Sequence, residues 1–141
     1  MLFRSAARRD HIERTIRPAL ERGAWVISDR FADSTRAYQG AGGGVSSGLV
    51  AALETFALEG TRPDLTLMLD LPVTLGLERA GLRGGGEARF EAKGEAFHQR
   101  LRDGFLAIAA AEPDRCAVVP ADRPLDDVTA AILAVIDERL A

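Results

Sequence analysis

Cysteine and lysine are almost missing from this sequence. Cys116 is the only cysteine, which excludes a disulfide framework or a cysteine-based metal cluster. Its apolar neighbours favour a buried structural thiol. Lys93 is the only lysine, so arginine supplies 17 of the 18 basic residues. This bias suits planar contacts to phosphate, but GC-rich coding produces it equally well, and both explanations stay open.

Long apolar runs and an excess of positive charge are also missing. No stretch approaches the roughly 20 residues of a membrane span, and the N-terminus lacks the apolar core of a signal peptide. We therefore expect a cytoplasmic protein that does not enter a membrane. A net charge of −3 argues against a basic surface that binds nucleic acid. A length of 141 residues, 47% of them hydrophobic, is enough for one domain.

Helical and strand patterns alternate along the chain. Apolar residues at helical spacing predict helices over 2–22, from Ser46 or Ser47 to Gly60, over 73–82, around 97–108, and from a cap at Asp126 or Asp127 to 140. Three short apolar runs predict buried parallel strands over 25–28, 65–71 and 116–119. This alternation is typical of an α/β domain with a parallel sheet.

Two helices carry further expectations. Pro18 predicts a kink or a break near Arg17 in the first helix, because proline interrupts the helical hydrogen bonds. The helix that ends at Gly60 is expected to bury a face made of Leu49, Leu53, Phe56 and Ala57.

A charged pair, Asp29 and Arg30, follows the first predicted strand. In open α/β sheets, ligands bind outside the carboxyl ends of the strands, although a surface ion pair is the alternative interpretation. Arg36 and Tyr38 come soon after, and Arg8 lies on the preceding helix. Arginines beside an aromatic ring suit a nucleotide or another phosphorylated planar ligand.

A second group of arginines surrounds a glycine-rich segment, 83–94. Arg79, Arg83 and Arg89 flank it or lie within it. The segment is predicted to be mobile, either as a solvated charged loop or as a lid that brings arginines onto a transferring phosphoryl group. His11 and His98 are isolated from other metal ligands, so no metal-binding residues are predicted.

An ordered set of motifs along essentially the whole chain closely resembles bacterial thymidylate kinase (dTMP kinase). The motifs are Ile16-Arg17-Pro18-Ala19-Leu20, Asp29-Arg30-Phe31, Ser34-Thr35, Ala37-Tyr38-Gln39-Gly40, Arg62-Pro63-Asp64-Leu65-Thr66, Leu69-Asp70-Leu71, Arg89-Phe90-Glu91 and Phe97-His98. The resemblance implies a partial P-loop nucleoside-monophosphate-kinase fold over residues 1–141. Three strands of its parallel sheet would remain, with flanking helices and a lid at about 83–94.

The resemblance also implies a reaction and its partners. The γ-phosphoryl group of ATP would move to dTMP, giving dTDP for dTTP synthesis, with Mg²⁺ bound to ATP and the enzyme a homodimer. Arg83 and Arg89 correspond to lid arginines that stabilise the transferring group. Arg30 corresponds to the arginine that holds the dTMP phosphate, with Asp29 orienting it. The remaining implied contacts to dTMP are Arg8 facing thymine, Phe3 stacking on it, Thr35 and Gln39 beside the base, and Tyr38 beneath the deoxyribose.

The sequence departs from the family's pattern in three places. Arg4 occupies the usual position of the stacking phenylalanine, with Phe3 one step away, and Ala88 replaces a lid aspartate. A phosphate loop of the G-x-x-x-x-G-K-[ST] type is absent from the sequence. The resemblance therefore implies a C-terminal portion in which Met1 begins within the domain, and we expect this chain alone to be inactive. The alternatives are a non-catalytic fragment that binds a nucleotide or pairs with a separate N-terminal piece, and a kinase for another nucleoside monophosphate.

Overall fold

The computed structural model describes residues 2–41, 46–83 and 94–140. They divide into two units, Met1–Pro63 and Asp64–Ala141, and each is described by itself. The α/β class, with parallel strands and flanking helices, is confirmed. One domain over 1–141 stays a prediction.

The regular secondary structure in the described part of the first unit is helical. Helix α1 (Leu2–His11), a π-helical turn (Ile12–Ile16) and helix α2 (Arg17–Glu21) follow one another without a break. Next come helix α3 (Ala32–Thr35), a second π-helical turn (Arg36–Ala41) and helix α4 (Ser47–Leu58). Ser46 caps α4 by accepting a hydrogen bond from the Leu49 N–H at 3.4 Å.

The irregularity predicted near Arg17 is a widened turn. The Arg17 N–H donates to the carbonyl of Ile12, five residues earlier, instead of to the residue four positions back. Pro18 has no N–H with which to continue the regular ladder. The chain therefore passes the proline through a π-helical turn and stays helical.

The strand predicted over 25–28 is wrong. Residues 24–28 form neither helix nor strand, and Trp25 and Ile27 are 70% and 94% exposed. A parallel strand exists only through hydrogen bonds to a neighbouring strand. Within the described ranges this segment pairs with no strand, so its apolar composition alone does not form one.

The buried face predicted for α4 is also wrong in part. Leu49 and Phe56 are 50% and 73% exposed, whereas Val50, Glu54 and Leu58 are buried, as is the predicted Ala57. The buried stripe is displaced by about one residue, which is about 100° around a helix. It is displaced toward Glu54, whose carboxylate forms ion pairs inside this unit.

The core of the first unit joins the π-helical turn after α1 to the segment that follows residue 30. Ile12, Ile16, Ala32 and Leu58 form one buried cluster, against which Phe31 packs. Ile12 and Ile16 share a helix face because they lie about one turn apart. This cluster fixes the start of α3 against the first helix.

The second unit contains a parallel pair of strands, β1 (Thr66–Asp70) and β2 (Cys116–Pro120). Thr66 lies opposite Cys116, and Asp70 opposite Pro120. The helices in the described part of this unit are α5 (Val73–Arg83), α6 (Glu95–Ala111) and α7 (Leu125–Leu140). Two of the three predicted strands are therefore found, with boundaries close to those expected.

Packing in the second unit follows most of the sequence pattern. On α6, Phe97, Leu101 and Ile108 are buried as predicted, and so is the thiol of Cys116. A second cluster is formed by Val119, Ala121 and Val128, with Leu67, Ala131, Ile132 and Val135 packed against it.

The predicted cap of α7 is wrong, because the helix begins at Leu125 and its two aspartates lie in the first turn. No helix in the described ranges is long and apolar enough to cross a membrane.

Two isoleucines provide a matched test of the core assigned to the first unit. Ile12→Ala should lower the free energy of unfolding by about 2–5 kcal/mol, because it leaves a cavity at a side chain with no exposed surface. Ile27→Ala makes the same change at an exposed side chain and should alter that energy by less than about 0.5 kcal/mol. Urea unfolding followed by circular dichroism measures both. Equal losses in the two variants would contradict the assigned core.

Candidate active site

Arg8 is placed on the buried side of the first helix by its spacing from the core. It precedes Ile12 by four residues, about one helical turn. Its Nη2 donates to the Phe31 carbonyl at 3.2 Å and to the Thr35 hydroxyl at 2.8 Å. Its guanidinium carbon also lies 5.5 Å from the centre of the Phe31 ring. One side chain thus connects α1 to both ends of the segment 31–35.

Arg30 adopts an uncommon backbone conformation, with φ of 62°. Non-glycine residues rarely occupy this left-handed region, and such conformations cluster at functional sites. The Ser28 hydroxyl donates to the Arg30 carbonyl at 3.4 Å. The Arg30 guanidinium carbon lies 5.5 Å from the centre of the Tyr38 ring, in cation–π geometry. The side chains of Arg30 and Tyr38 therefore lie close to each other.

Several polar groups of residues 29–38 lie near Arg8 and Arg30. Asp29 and Arg30 are exposed, Thr35 and Tyr38 are half-buried, and no ion pair joins Asp29 or Arg30 to another residue of the described part. The surface ion pair considered as an alternative is therefore not formed. Guanidinium groups beside aromatic rings and a hydroxyl can bind a ligand that carries a phosphate and a planar ring.

Arg36 lies near two carboxylates of the first unit. Its Nη1 lies 3.4 Å from Asp33 Oδ1, and its Nε lies 3.8 Å from Glu54 Oε2. Both carboxylates are buried. Sequence reasoning missed Asp33 and Glu54, because charged side chains on helices are ordinarily exposed.

In the second unit, Asp70 forms a bidentate ion pair with Arg102, which sequence reasoning also missed. Arg102 Nε lies 2.7 Å from Asp70 Oδ1, and Arg102 Nη2 lies 2.8 Å from Oδ2. The hydrogen bonds from Arg102 lower the pKa of the Asp70 carboxyl, and burial opposes this shift. The pair ties α6 to the carboxyl end of β1. The only sequence signal was that Asp70 ends a strand.

Several predicted site residues cannot be placed by their side chains. Arg83 is the last residue of α5, and Phe3 and Gln39 belong to helical segments of the first unit. Their side chains lie outside the described part, and Arg89 lies outside the described residues altogether. The roles of these four residues stay predictions. Of the α5 arginines, Arg79 is seen to donate from Nη1 to the Ala121 carbonyl at 2.8 Å, next to the end of β2.

Comparison with known proteins identifies the family. The family model for thymidylate kinase matches residues 1–132. The chain belongs to the thymidylate kinase family. The resemblance inferred from the motifs is thereby confirmed, and kinase and transferase are the classes that the family name implies.

The similar thymidylate kinases are longer than this chain. The thymidylate kinase of Caulobacter vibrioides is 65% identical over 139 residues, which cover 99% of this chain and 66% of that protein. Those of Nitrobacter winogradskyi and Pseudomonas fluorescens are each 51% identical, over 61% and 66% of their lengths. The chain thus spans just under two thirds of the first of these relatives, and it corresponds to their C-terminal portion.

The Asp70–Arg102 pair predicts how stability depends on pH. Because the pKa of Asp70 is lowered in the folded chain, the pair stabilises it above the ordinary carboxyl range of about pH 4. That contribution is lost as the pH falls through the lowered pKa. Asp70→Asn should therefore lose stability at pH 7 and show a smaller further loss on acidification than the unmodified chain. Urea midpoints measured from pH 7 to pH 3 test this.

Asp137→Asn is the matched control, because it makes the same change at an exposed carboxylate on α7. It should leave the acid-dependent loss as it is in the unmodified chain. The ion pair would not contribute as described if Asp70→Asn and Asp137→Asn gave the same profile.

Proposed function

We propose that this chain supplies the dTMP-binding part of a thymidylate kinase, which transfers the γ-phosphoryl group of ATP to dTMP and yields dTDP for dTTP synthesis. The observation that carries the proposal is the placement of Arg30 over Tyr38, in the same unit as Arg8 and Thr35. Membership of the family supports the same reaction. The assignment of dTMP to these residues is our inference.

In the proposed complex, Arg30 holds the phosphate of dTMP and Asp29 orients that arginine. A guanidinium group matches the planar oxygens of a phosphate and can form two parallel hydrogen bonds with it. Tyr38 lies beneath the deoxyribose. The base lies near Arg8, with Thr35 and Gln39 beside it and Phe3 stacked on it.

The phosphoryl-transfer step needs positive charge more than covalent chemistry. Arg83 and Arg89 are proposed to supply that charge around the transferring group. Mg²⁺ would enter bound to ATP and neutralise part of the phosphate charge. Among the described residues, no group of three or more His, Cys, Asp or Glu side chains could hold a metal ion.

The 141 residues are proposed to bind dTMP without turning it over by themselves. Their sequence contains no G-x-x-x-x-G-K-[ST] loop, whose amides and lysine would cradle the phosphates of ATP. We further propose a cytoplasmic, homodimeric enzyme that does not act on nucleic acid, in keeping with the net charge of −3.

Binding of dTMP to the purified chain tests the proposed phosphate contact. Arg30→Ala should weaken binding by about tenfold or more, because a guanidinium–phosphate contact is charge-assisted. Isothermal titration calorimetry with dTMP, dUMP and thymidine measures the effect. The unmodified chain should bind dTMP best, and Arg30→Ala should bind thymidine as well as the unmodified chain does.

Arg14→Ala is the control for charge, because it removes an arginine whose side chain is 79% exposed and pairs only locally with Asp10. Its affinity for dTMP should be unchanged. Equal weakening by Arg14→Ala and Arg30→Ala would mean that general charge, rather than Arg30, attracts the nucleotide. Better binding of dUMP than of dTMP would favour another nucleoside monophosphate as substrate.

The exposed segment 25–27 favours a second candidate function. In this candidate, the chain is a non-catalytic fragment that pairs with a separate N-terminal piece. Trp25, Val26 and Ile27 are large apolar residues in succession, and each is exposed in this unit. Exposed apolar surface of this kind often marks an interface with another polypeptide. The matched portion covers 66% of the length of the Caulobacter vibrioides relative, so about a third of that relative has no counterpart in this chain.

A coupled ATP/dTMP assay separates the two candidates. The purified chain should show no turnover above background, because it offers no phosphate loop for ATP. Adding the segment of the Caulobacter vibrioides relative that this chain does not match should restore turnover if the two pieces pair. Turnover by the chain alone would contradict the proposed inactivity. No complex and no activity on mixing would count against pairing, and Ile27→Asp should weaken any complex that forms.

A further inference from the structure

Glu54 is a buried carboxylate in the middle of α4 that the proposed substrate contacts do not use. Its side chain is 9% exposed. One oxygen, Oε1, lies 3.1 Å from Arg62 Nη2, and the other, Oε2, lies 3.8 Å from Arg36 Nε. An unpaired charge at this depth would be strongly unfavourable, so the two arginines are needed to keep the carboxylate inside.

Arg36 extends this contact to the segment that carries the proposed dTMP-binding residues. It opens the π-helical turn Arg36–Ala41, directly after Thr35 and two residues before Tyr38. Its Nη1 also lies 3.4 Å from buried Asp33 in α3. The guanidinium of Arg36 thus lies between a carboxylate of α3 and a carboxylate of α4.

The contacts seen in this cluster join two carboxylates, Asp33 and Glu54, to two guanidinium groups, Arg36 and Arg62. When the charge of Glu54 is removed, the contact seen between Arg36 and the Asp33 carboxylate remains. The ion pair between Arg36 and Glu54, one of the contacts between the π-helical turn and α4, is then lost. The turn can shift relative to α1, where Arg8 contacts Thr35.

We propose that Glu54 is a positioning residue, which holds Arg36 and thereby fixes Thr35 and Tyr38 in the geometry that binds dTMP. The proposal rests on the function proposed above, and it assigns Arg36 to positioning instead of to the ligand phosphate. Glu54 touches no substrate in this account. Its effect on binding is transmitted through the Arg36 side chain and the backbone of the turn.

The first test needs no ligand, because Tyr38 is the only tyrosine in the chain. With tyrosine ring carbons labelled, the NMR spectrum contains the ring signals of Tyr38 alone. Glu54→Gln should shift these signals, since the ring leaves its position beside Arg30. Unchanged ring signals in a folded Glu54→Gln variant would overturn the proposal.

The second test measures dTMP affinity by calorimetry, at a temperature where each variant is folded. Glu54→Gln and Arg36→Met should each weaken dTMP binding by about tenfold, because small displacements of binding groups cost this much or more. The double variant should bind about as weakly as either single variant, since both remove the same contact. Additive losses would overturn the proposed action through Arg36.

Glu59→Gln is the matched control. Glu59 follows the same helix and also pairs with two arginines, Arg9 and Arg17, but it contacts no residue of α3 or of the second π-helical turn among the contacts seen. It should lower stability without moving the Tyr38 signals or the affinity for dTMP. Equal effects of Glu54→Gln and Glu59→Gln would show that Glu54 acts on stability alone.

Two further outcomes are distinguishable. If Glu54→Gln fails to fold, Glu54→Asp keeps the charge but draws the carboxylate back by one methylene group, and it should give a smaller change of the same kind. If the unmodified chain does not bind dTMP, the proposed function fails, while the Tyr38 signals still decide whether Glu54 positions the turn. Tyr38 signals that shift without any change in dTMP affinity would overturn the link to binding.

Discussion

The hydrogen bonds of Arg8 hold the proposed site together. A single guanidinium group from α1 bonds both the carbonyl of Phe31 and the hydroxyl of Thr35. These bonds lie next to the buried cluster of Ile12, Ile16, Ala32 and Leu58, against which the Phe31 ring packs. Because that core packs the turn that follows α1 against the start of α3, Arg8 can hold the segment from Phe31 to Thr35 in place. The proposed nucleotide contacts therefore depend on an arginine whose own position is set by packing.

Arginine serves two purposes in this chain. Several arginines satisfy carbonyl groups at or beyond helix and strand ends: Arg9 bonds Phe56, Arg17 bonds Glu59, Arg79 bonds Ala121 and Arg139 bonds Pro113. Such bonds supply partners for carbonyls that lack one in the regular structure. Others pair with carboxylates, as Arg36 and Arg102 do. The nearly complete replacement of lysine by arginine thus has structural uses, and only part of it bears on the proposed phosphate contacts.

Most elements could be predicted from apolar periodicity, because apolar residues at helical or strand spacing mark α6, α7, β1 and β2, and each of these elements buries part of its set. The segment 25–28 shows the limit of that reasoning, since its apolar run does not specify a neighbour with which to pair. The face of α4 was misassigned because Glu54 counted as polar, although ion pairs keep it buried. The Asp70–Arg102 pair spans 32 residues, and no local pattern links its two members. For the site, motif resemblance proposed Arg8, Arg30, Thr35 and Tyr38 together, and the fold places them within one unit.

The central claim is that residues 29–38, with Arg8, bind dTMP. The most direct measurement is a titration of the ¹⁵N-labelled chain with dTMP, followed residue by residue in two-dimensional NMR spectra. The account predicts that the largest shifts occur at Arg8, Arg30, Thr35 and Tyr38, with little change along α7. Saturable shifts centred elsewhere in the chain, or no shifts at millimolar dTMP, would contradict it.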